Sequence, residues 1–178
     1  WSSQLTPGID VYFSDGSNWP NWTAKTDVTT LGGYNSVALA DVNKDDNLDV
    51  IAATDSTYAK GLKVWLGNGG TVWTETSTGL PITAQYFSVA VGDLNKDGNP
   101  DIAAGTSGTG VAIYTGNGGT SWTKATGTGL PSTGTYWSIN ISDLDKDGNL
   151  DIVVGSYDTG GLFAYTGNGA NVFTKEST

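Results

Sequence analysis

The sequence contains no cysteine, methionine or histidine, and all eight of its basic residues are lysine. Thiol chemistry and imidazole acid–base catalysis are therefore unavailable to this chain. The absence of arginine also removes the side chain that best holds phosphate groups in a bidentate manner. Together these absences exclude most familiar active sites and favour a protein that binds rather than catalyses.

Positive charge is scarce in general, since the formal net charge is -10. Binding to a phosphate backbone depends on clustered cations, so we expect no nucleic-acid partner. The chain also lacks a long apolar run or a signal peptide, and we therefore expect no membrane span. It starts at Trp1 rather than methionine, which suggests a processed or excerpted product.

The residues that are abundant favour strands and turns. The sequence has 26 glycines, and aromatic residues make up 11% of it. Threonine, valine, isoleucine, tryptophan and tyrosine dominate the remaining positions, as in β-proteins. A chain of this length can bury a substantial core as one domain. We therefore predict an all-β fold with almost no helix.

Three near-copies of one acidic nonapeptide occupy residues 41–49, 93–101 and 143–151. They hold eleven of the 18 acidic residues, so the negative charge is concentrated rather than spread for solubility. Oxygen-bearing side chains stand at positions one, three, five and nine, and Gly98 or Gly148 stands at position six, where the backbone turns sharply. This spacing indicates calcium at three sites, although plain acidic turns remain the alternative. The predicted side-chain ligands are Asp41, Asn43, Asp45, Asp49, Asp93, Asn95, Asp97, Asp101, Asp143, Asp145, Asp147 and Asp151.

These nonapeptides differ from EF-hand loops. An EF-hand needs a bidentate glutamate at position twelve and a helix on each side. Here Ala52, Ala104 and Val154 take position twelve, and apolar strand-like segments follow each loop. We therefore expect strands rather than helices around the loops.

The nonapeptides belong to a longer repeat, because successive copies start 52 and 50 residues apart. Each unit begins with Tyr-x-Ser and an alternating segment, and a continuous apolar segment follows the acidic loop. A third segment and an Asn-Gly turn then lead to a fourth, which carries Trp73, Trp122 or Phe173. Four antiparallel strands per unit are typical of a β-propeller blade. We assign blades to residues 34–85, 86–135 and 136–178.

Residues 1–33 resemble only the outer half of a blade. The segment from Gly8 to Phe13 matches Gly61 to Leu66, and Trp22 takes the place of Trp73. The sequence thus predicts about three and a half blades, whereas closed propellers have about four to eight. We expect either a part of a longer propeller or a homo-oligomer that completes a ring. Two copies fit a ring imperfectly, because both partial blades supply outer strands.

The loop, the apolar strand and the following Gly-x-x-x-Tyr/Trp strand resemble the FG-GAP/VCBS repeat family, the propeller type of integrin alpha subunits. The resemblance covers nearly the whole chain. It implies that each loop joins the two inner strands of a blade and holds calcium. It also implies a backbone carbonyl ligand at position seven, which is Asn47, Asn99 or Asn149. Asp46 stands at the glycine position of the first loop, so we expect calcium binding there to be weaker.

Other aromatic and acidic residues were weighed as sites. Tryptophan and tyrosine at matching strand positions are expected to pack between blades. Trp19, Trp22 and Trp137 follow the repeat less closely, and exposed indole faces stack on sugars, so they are candidate ligand contacts. Glu75 and Glu176 could form a glycosidase pair, but no spacing selects a partner for either. We therefore predict no catalytic residues.

From these features we expect a secreted or cell-surface, calcium-stabilised propeller module that recognises a glycan or an extracellular protein. Millimolar extracellular calcium suits sites of this kind. One alternative is a building block that only self-assembles through its open edges. A further alternative is an accessory or catalytic part of a polysaccharide-degrading enzyme.

Overall fold

The computed structural model describes residues 8–14, 22–29, 32–55 and 60–177, and every regular element in these segments is a β-strand. The strands form one two-stranded sheet and three four-stranded sheets, all antiparallel. The four-stranded sheets are called blades 1, 2 and 3 below, and the two-stranded sheet is called the half-blade. The prediction of an all-β fold is confirmed.

Each sheet is built from strands that are consecutive in the sequence. The half-blade contains β1 (Ile9–Ser14) and β2 (Trp22–Thr29). Blade 1 contains β3 (Tyr34–Ala40), β4 (Asp49–Thr54), β5 (Leu62–Gly67) and β6 (Trp73–Glu75). Blade 2 contains β7 (Tyr86–Gly92), β8 (Asp101–Thr106), β9 (Val111–Gly116) and β10 (Trp122–Lys124). Blade 3 contains β11 (Tyr136–Ser142), β12 (Asp151–Ser156), β13 (Leu162–Gly167) and β14 (Phe173–Lys175).

The core lies between blades. One buried cluster joins blades 1 and 2 through residues such as Ile51, Leu62, Ile102 and Tyr114. A second cluster joins blades 2 and 3, and a third joins the half-blade to blade 1. Because strands β4 and β8 are covered on both faces, all of their residues are buried, as their continuous apolar sequence predicts.

The repeated aromatic residues pack between blades, as expected from their spacing. Trp65, Tyr114, Trp122 and Tyr165 are buried, and Trp73 is half-buried. Each of them lies on the face of its blade that meets the preceding blade, which we call the backward face. The opposite face, which meets the following blade, is the forward face.

The forward face of blade 3 differs from those of blades 1 and 2. Leu162 is 70% exposed there, whereas the matching residues Leu62 and Val111 are 0% and 7% exposed. The difference arises because no blade follows blade 3 among the described residues. The described chain is thus a partial β-propeller that is not closed into a ring.

Two kinds of connection set the blade geometry. The Asn-Gly turns are five-residue loops, for example residues 68–72, in which Asn68 Oδ1 accepts hydrogen bonds from the N–H groups of Gly70 and Val72 at 3.0 and 3.2 Å. The Thr-Gly-Leu-Pro segments run to the next blade. There the Trp122 N–H donates to the Thr78 carbonyl at 2.9 Å, so each connector is paired with the outer strand of the following blade.

Among the described residues, no helix is long and apolar enough to cross a membrane.

Candidate metal centre

Each acidic nonapeptide joins the first and second strands of its blade, so the three loops occupy the same position in successive blades. We call residues 41–49, 93–101 and 143–151 the first, second and third loops. The antiparallel pairing of β3 with β4 places position one, Asp41, beside position nine, Asp49, at the base of the loop. The chain therefore returns on itself within nine residues and concentrates its carboxylates at one end of the blade.

The aspartate at position nine anchors each loop to the rest of its blade. Asp49 is fully buried, and its two carboxylate oxygens accept hydrogen bonds from the N–H groups of Val42 at 2.8 Å and Gly67 at 2.9 Å. The same pair of bonds recurs in the other blades. The partners are Leu94 and Gly116 for Asp101, and Leu144 and Gly167 for Asp151. Position nine thus holds the loop closed and ties it to the end of the third strand.

The third strand ends in glycine for a steric reason. A Cβ on Gly67 would overlap the carbonyl oxygen of Leu48, and Gly116 and Gly167 face the carbonyls of Pro100 and Leu150 in the same way. Only glycine lets the strand end come close enough for its N–H to reach the buried aspartate. This Gly–Asp pair was not predicted, although the Gly-Asn-Gly repeat in the sequence marks its position.

The remaining loop carboxylates accept hydrogen bonds from the loop backbone. In the first loop, Asp41 accepts from the N–H groups of Asp45 at 3.1 Å and Asp46 at 2.8 Å, and Asp45 accepts from Asn47 at 2.9 Å. The second loop repeats this pattern with Asp93 and Asp97. These bonds shape a tight loop whose side-chain oxygens face one another.

The third loop has the donor set best suited to a cation. Carboxylate oxygens of Asp143, Asp145 and Asp151 lie within 4.8 Å of one another, and no other such group of three acidic residues occurs in the described part of the chain. Asp143 Oδ1 is buried and has no hydrogen-bond partner among the described atoms. A buried carboxylate oxygen without a protein donor is satisfied by an ordered water or by a cation. These residues therefore fit a hard divalent cation.

The first two loops close differently because position three is asparagine. The side-chain amide of Asn43 donates to Asp45 Oδ2 at 3.0 Å, and that of Asn95 donates to Asp97 Oδ2 at 2.9 Å. The side-chain oxygens of Asn43 and Asn95 accept the N–H groups of the same two aspartates. The predicted ligands at positions one, three and five are thus adjacent in these loops as well.

The surroundings shift the pKa values of several loop carboxyls. Burial raises the pKa of Asp101 to about 6, against the opposing effect of its two backbone hydrogen bonds. Burial also raises the pKa of Asp49. By contrast, the hydrogen bond from Asn43 lowers the pKa of the exposed Asp45, and the backbone N–H of Asn149 lowers that of Asp147. Without a cation, burial opposes the ionisation of Asp49 and Asp101, and so raises the pKa of both carboxyls.

Two positions in each loop have a left-handed backbone. Position six has positive φ angles of 67°, 84° and 85° at Asp46, Gly98 and Gly148, which confirms the expected left-handed conformation of Asp46. Position four is lysine in all three loops and also has positive φ, at 62°, 58° and 64°. The lysine conformation was not predicted, because lysine has no intrinsic preference for this region.

These lysines link neighbouring loops. The ammonium nitrogen of Lys44 lies 3.7 Å from the point where a Cβ on Gly98 would stand, so it lies over the second loop. Lys96 reaches Gly148 of the third loop in the same way and helps to lower the pKa of Asp147. The first and second loops thus each place a lysine over the following loop.

Comparison with protein-family models gives a match to the FG-GAP-like repeat over residues 47–104 and again over residues 97–154. The two matches overlap and together cover more than half of the chain. The chain belongs to the FG-GAP-like repeat family. A search of curated proteins found no match. FG-GAP repeats often bind calcium, in agreement with the acidic loops described above.

The candidate ligand contacts of this FG-GAP-like chain are only partly visible. Trp19 lies outside the described residues, and Trp22 begins β2 without a described side chain. Trp137 is exposed at the start of β11, where its ring stacks on Tyr157 with centroids 4.5 Å apart. Phe87 meets Trp137 edge-on at 5.9 Å. We call Phe87, Trp137 and Tyr157 the aromatic patch.

The aromatic patch lies at the opposite end of the inner strands from the acidic loops, because Tyr136 pairs with Ser156 whereas Ser142 pairs with Asp151. Sequence reasoning identified Trp137 but missed Tyr157, which belongs to a turn. Phe87 and Trp137 take the same position in the Tyr-x-Ser repeat, but no spacing in the sequence links Tyr157 to them. Only the packing of blade 2 against blade 3 brings them together.

Proposed function

We propose that this FG-GAP-like module binds three calcium ions, one in each acidic loop, and uses them to stabilise a recognition surface. The observation that carries the proposal is the third loop, where three carboxylates converge and Asp143 Oδ1 is buried without a donor. The ligands are those predicted at positions one, three, five and nine, with the carbonyl of Asn47, Asn99 or Asn149 at position seven. Bound calcium supplies positive charge that offsets the repulsion among these carboxylates.

The role proposed for calcium is structural. Asp49, Asp101 and Asp151 each tie their loop to the end of the third strand of the blade. A cation held by the same carboxylate would therefore fix both ends of the loop against the end of the third strand. Millimolar calcium outside cells suits sites of this kind, and we propose a secreted or cell-surface location.

The aromatic patch is the surface proposed for recognition. Trp137 and Tyr157 are exposed apolar rings with polar edges, which suit the apolar face of a sugar or an extended segment of an extracellular protein. Trp137 is held by Tyr157 and Phe87, so little side-chain entropy is lost when a ligand binds. We propose a glycan or an extracellular protein as the partner.

The two glutamates weighed as a glycosidase pair are both engaged by other side chains. Glu75 is paired with Lys63, and Glu176 Oε1 accepts a hydrogen bond from Thr166 Oγ1 at 2.8 Å, so each glutamate has a structural partner. We propose that the chain is not an enzyme. If it were instead part of a polysaccharide-degrading enzyme, sugar turnover would be lost when Glu75 or Glu176 is replaced.

Native mass spectrometry of the chain with calcium and after chelation tests the ion count. We expect three calcium ions per chain, and two after Asp143→Ala. A chain that carries no calcium in millimolar calcium would contradict the proposal. The same spectra report the subunit number, and a discrete multimer without ligand binding would instead support the self-assembling building block.

A glycan array probed with the chain and with Trp137→Ala tests the recognition surface. We expect binding that is lost in Trp137→Ala and kept in Ile82→Ala, which removes another exposed apolar side chain, outside the aromatic patch. Binding that is equal in both variants would place recognition on another surface.

A further inference from the structure

The half-blade covers only part of the backward face of blade 1. We propose that the uncovered part binds a strand–acidic loop–strand hairpin of the same repeat type. The uncovered part, called the open face, consists of Val37 and Leu39 of β3, Leu48 of the first loop, and the free edge of β1. The hairpin would complete the half-blade and so extend the propeller.

The burial of equivalent residues in other blades shows what the open face lacks. Val37 is 53% exposed, whereas the matching residues Val89 and Ile139 are 6% and 8% exposed. Leu39 is 59% exposed, and its counterparts in blades 2 and 3 are half-buried. Within the chain, this face is covered by the two inner strands of the preceding blade, and those strands are what the half-blade does not provide.

A cavity of about 360 Å³ beside the open face matches a position that is filled in the other blades. Its apolar lining includes Val11, Leu39, Leu48 and Trp73. Val64, Val91 and Trp122 match Val11, Leu39 and Trp73 one blade later, and they belong to or pack against the cluster that buries Val42. The next matching set, Ile113, Ile141, Leu150 and Phe173, belongs to or packs against the cluster that buries Leu94.

Val42 and Leu94 are the second residues of the first and second loops, and they are only 2% and 1% exposed. The cavity therefore has the position and the lining to accept the second residue of one more acidic loop. A large aliphatic side chain at that position is the first requirement on the partner.

Charge gives a second requirement. Lys44 lies over the second loop and Lys96 over the third, but the described residues place no lysine from a preceding loop over the first loop. The cavity reaches Asp46 and Asn47 of that loop. A hairpin with lysine at position four of its own loop would place an ammonium group beside Asp46, as the chain does twice already.

Backbone pairing gives the third requirement. In the described residues, β1 pairs only with β2, whereas the matching strands β5, β9 and β13 each pair on both sides. The second strand of the hairpin would add to the free edge of β1, a form of β-augmentation. A complete blade would not fit, because β1 and β2 already occupy the outer half of this position. The occupant is therefore a two-stranded hairpin.

The direct probe is a peptide of residues 86–106, which contains β7, the second loop and β8, and so carries both Leu94 and Lys96. Tyr86 and Thr106 form a cross-strand pair, so a disulfide between cysteines added at the two ends pre-organises the hairpin. We expect the labelled, cyclised peptide to bind the full chain in saturating calcium with one peptide per chain. Leu39→Asp in the chain should weaken binding at least tenfold, because it puts a carboxylate into the apolar contact.

Matched variants distinguish peptide binding at the open face from non-specific binding to exposed apolar residues. Ile82→Asp changes an apolar residue that is 69% exposed but lies outside the open face, and it should leave peptide affinity unchanged. Lys96→Glu in the peptide should weaken binding, and combining it with Asp46→Lys in the chain should restore part of the loss. Equal binding by wild type and Leu39→Asp, or no binding of the cyclised peptide, would overturn the proposal.

Sedimentation velocity of the full chain without peptide identifies the competing occupant. Self-association that is abolished by Leu39→Asp would show that a second copy covers the open face, and it would overturn the assignment of this face to a separate hairpin. Because all arms use saturating calcium, a failure here is distinct from a failure of calcium binding, which the ion count reports by itself.

Discussion

At the scale of single residues, the loop ligands could be predicted from their spacing. The backbone N–H groups that donate hydrogen bonds to these carboxylates could not. Alternating oxygen donors are visible in any sequence. The two N–H groups that converge on Asp101 come from Leu94 and Gly116, one inside the loop and one in the third strand. Their approach depends on how β8 pairs with β9, which no local pattern encodes.

The buried aspartate of the second loop predicts a pH dependence. The pKa of Asp101 is about 6 in the metal-free chain and is raised by burial above the ordinary value of 3.8. Between these values the folded chain binds more protons than the unfolded chain, so the metal-free chain should lose stability as pH rises from about 4 to about 6. Calcium needs the ionised carboxylate, so the stabilisation by calcium should shrink as pH falls below about 6.

Thermal unfolding across this pH range, in calcium-free and calcium-saturated buffer, measures both effects. Asp101→Asn should flatten the metal-free profile because it removes the titrating group. A difference between the calcium-saturated and calcium-free melting temperatures that stays constant from pH 4 to pH 7 would contradict the expected dependence.

Reciprocal substitutions at Asp46 and Gly98 test the free-energy cost of placing aspartate at position six, where φ is positive. Asp46 has a φ of 67°, a region that glycine enters without penalty. Asp46→Gly should stabilise the metal-free chain by up to about 1 kcal/mol. The reciprocal change, Gly98→Asp, should destabilise it by a similar amount. Urea unfolding of both variants gives the two free energies, and changes of the same sign would refute this account.

At the scale of strands and connectors, the sequence is most informative where both faces of a strand are buried. The apolar runs of β4 and β8 are buried throughout, as predicted. The run of β12 is not, since Val153 and Gly155 are only half-buried. Its sequence resembles that of the other two strands, so the difference comes from the neighbouring blade and not from the strand.

The glycine of the Thr-Gly-Leu-Pro connector is predicted to be essential for joining blades 1 and 2. A Cβ on Gly79 would overlap the carbonyl oxygen of Trp122, and its φ is +83°. Gly79→Ala should therefore lower the free energy of unfolding by at least about 2 kcal/mol.

Gly108→Ala is the matched control, because Gly108 has a φ of +82° but open space around its Cβ position. It should show only the backbone cost of about 1 kcal/mol. Denaturant unfolding compares the two variants. A Gly79→Ala loss no larger than that of Gly108→Ala would show that the connector tolerates a side chain.

At the scale of the whole molecule, the repeat predicted the number of blades, but the consequences of an incomplete ring needed the structure. The partial blade at the start of the chain was recognised from Gly8 to Phe13. The exposure of Val37, Leu39 and Leu162 was not foreseen, because these positions match buried or half-buried ones elsewhere in the repeat. A residue-by-residue alignment assigns the same environment to every copy, and the ends are where this assumption fails.

Removal of calcium should affect the whole array. A ligand at a hundred times its dissociation constant adds about 2.7 kcal/mol per independent site, and three sites would give several times the effect of one. We expect chelation to lower the melting temperature markedly, as measured by calorimetry. Single substitutions Asp41→Ala, Asp93→Ala and Asp143→Ala should each remove part of the shift. A melting temperature that is insensitive to chelation would show that the loops are stable without ions.

The burial of Val42 and Leu94 in the blades that follow them gives the stack of blades a direction. Each blade buries the second loop residue of the preceding blade on its backward face and projects its own second loop residue from its forward face. An added blade therefore covers one exposed face and creates a new one. Such a module can lengthen by duplicating one stretch of about fifty residues. Its final size is limited by the rotation between successive blades, which brings the last blade back to the first when the ring closes.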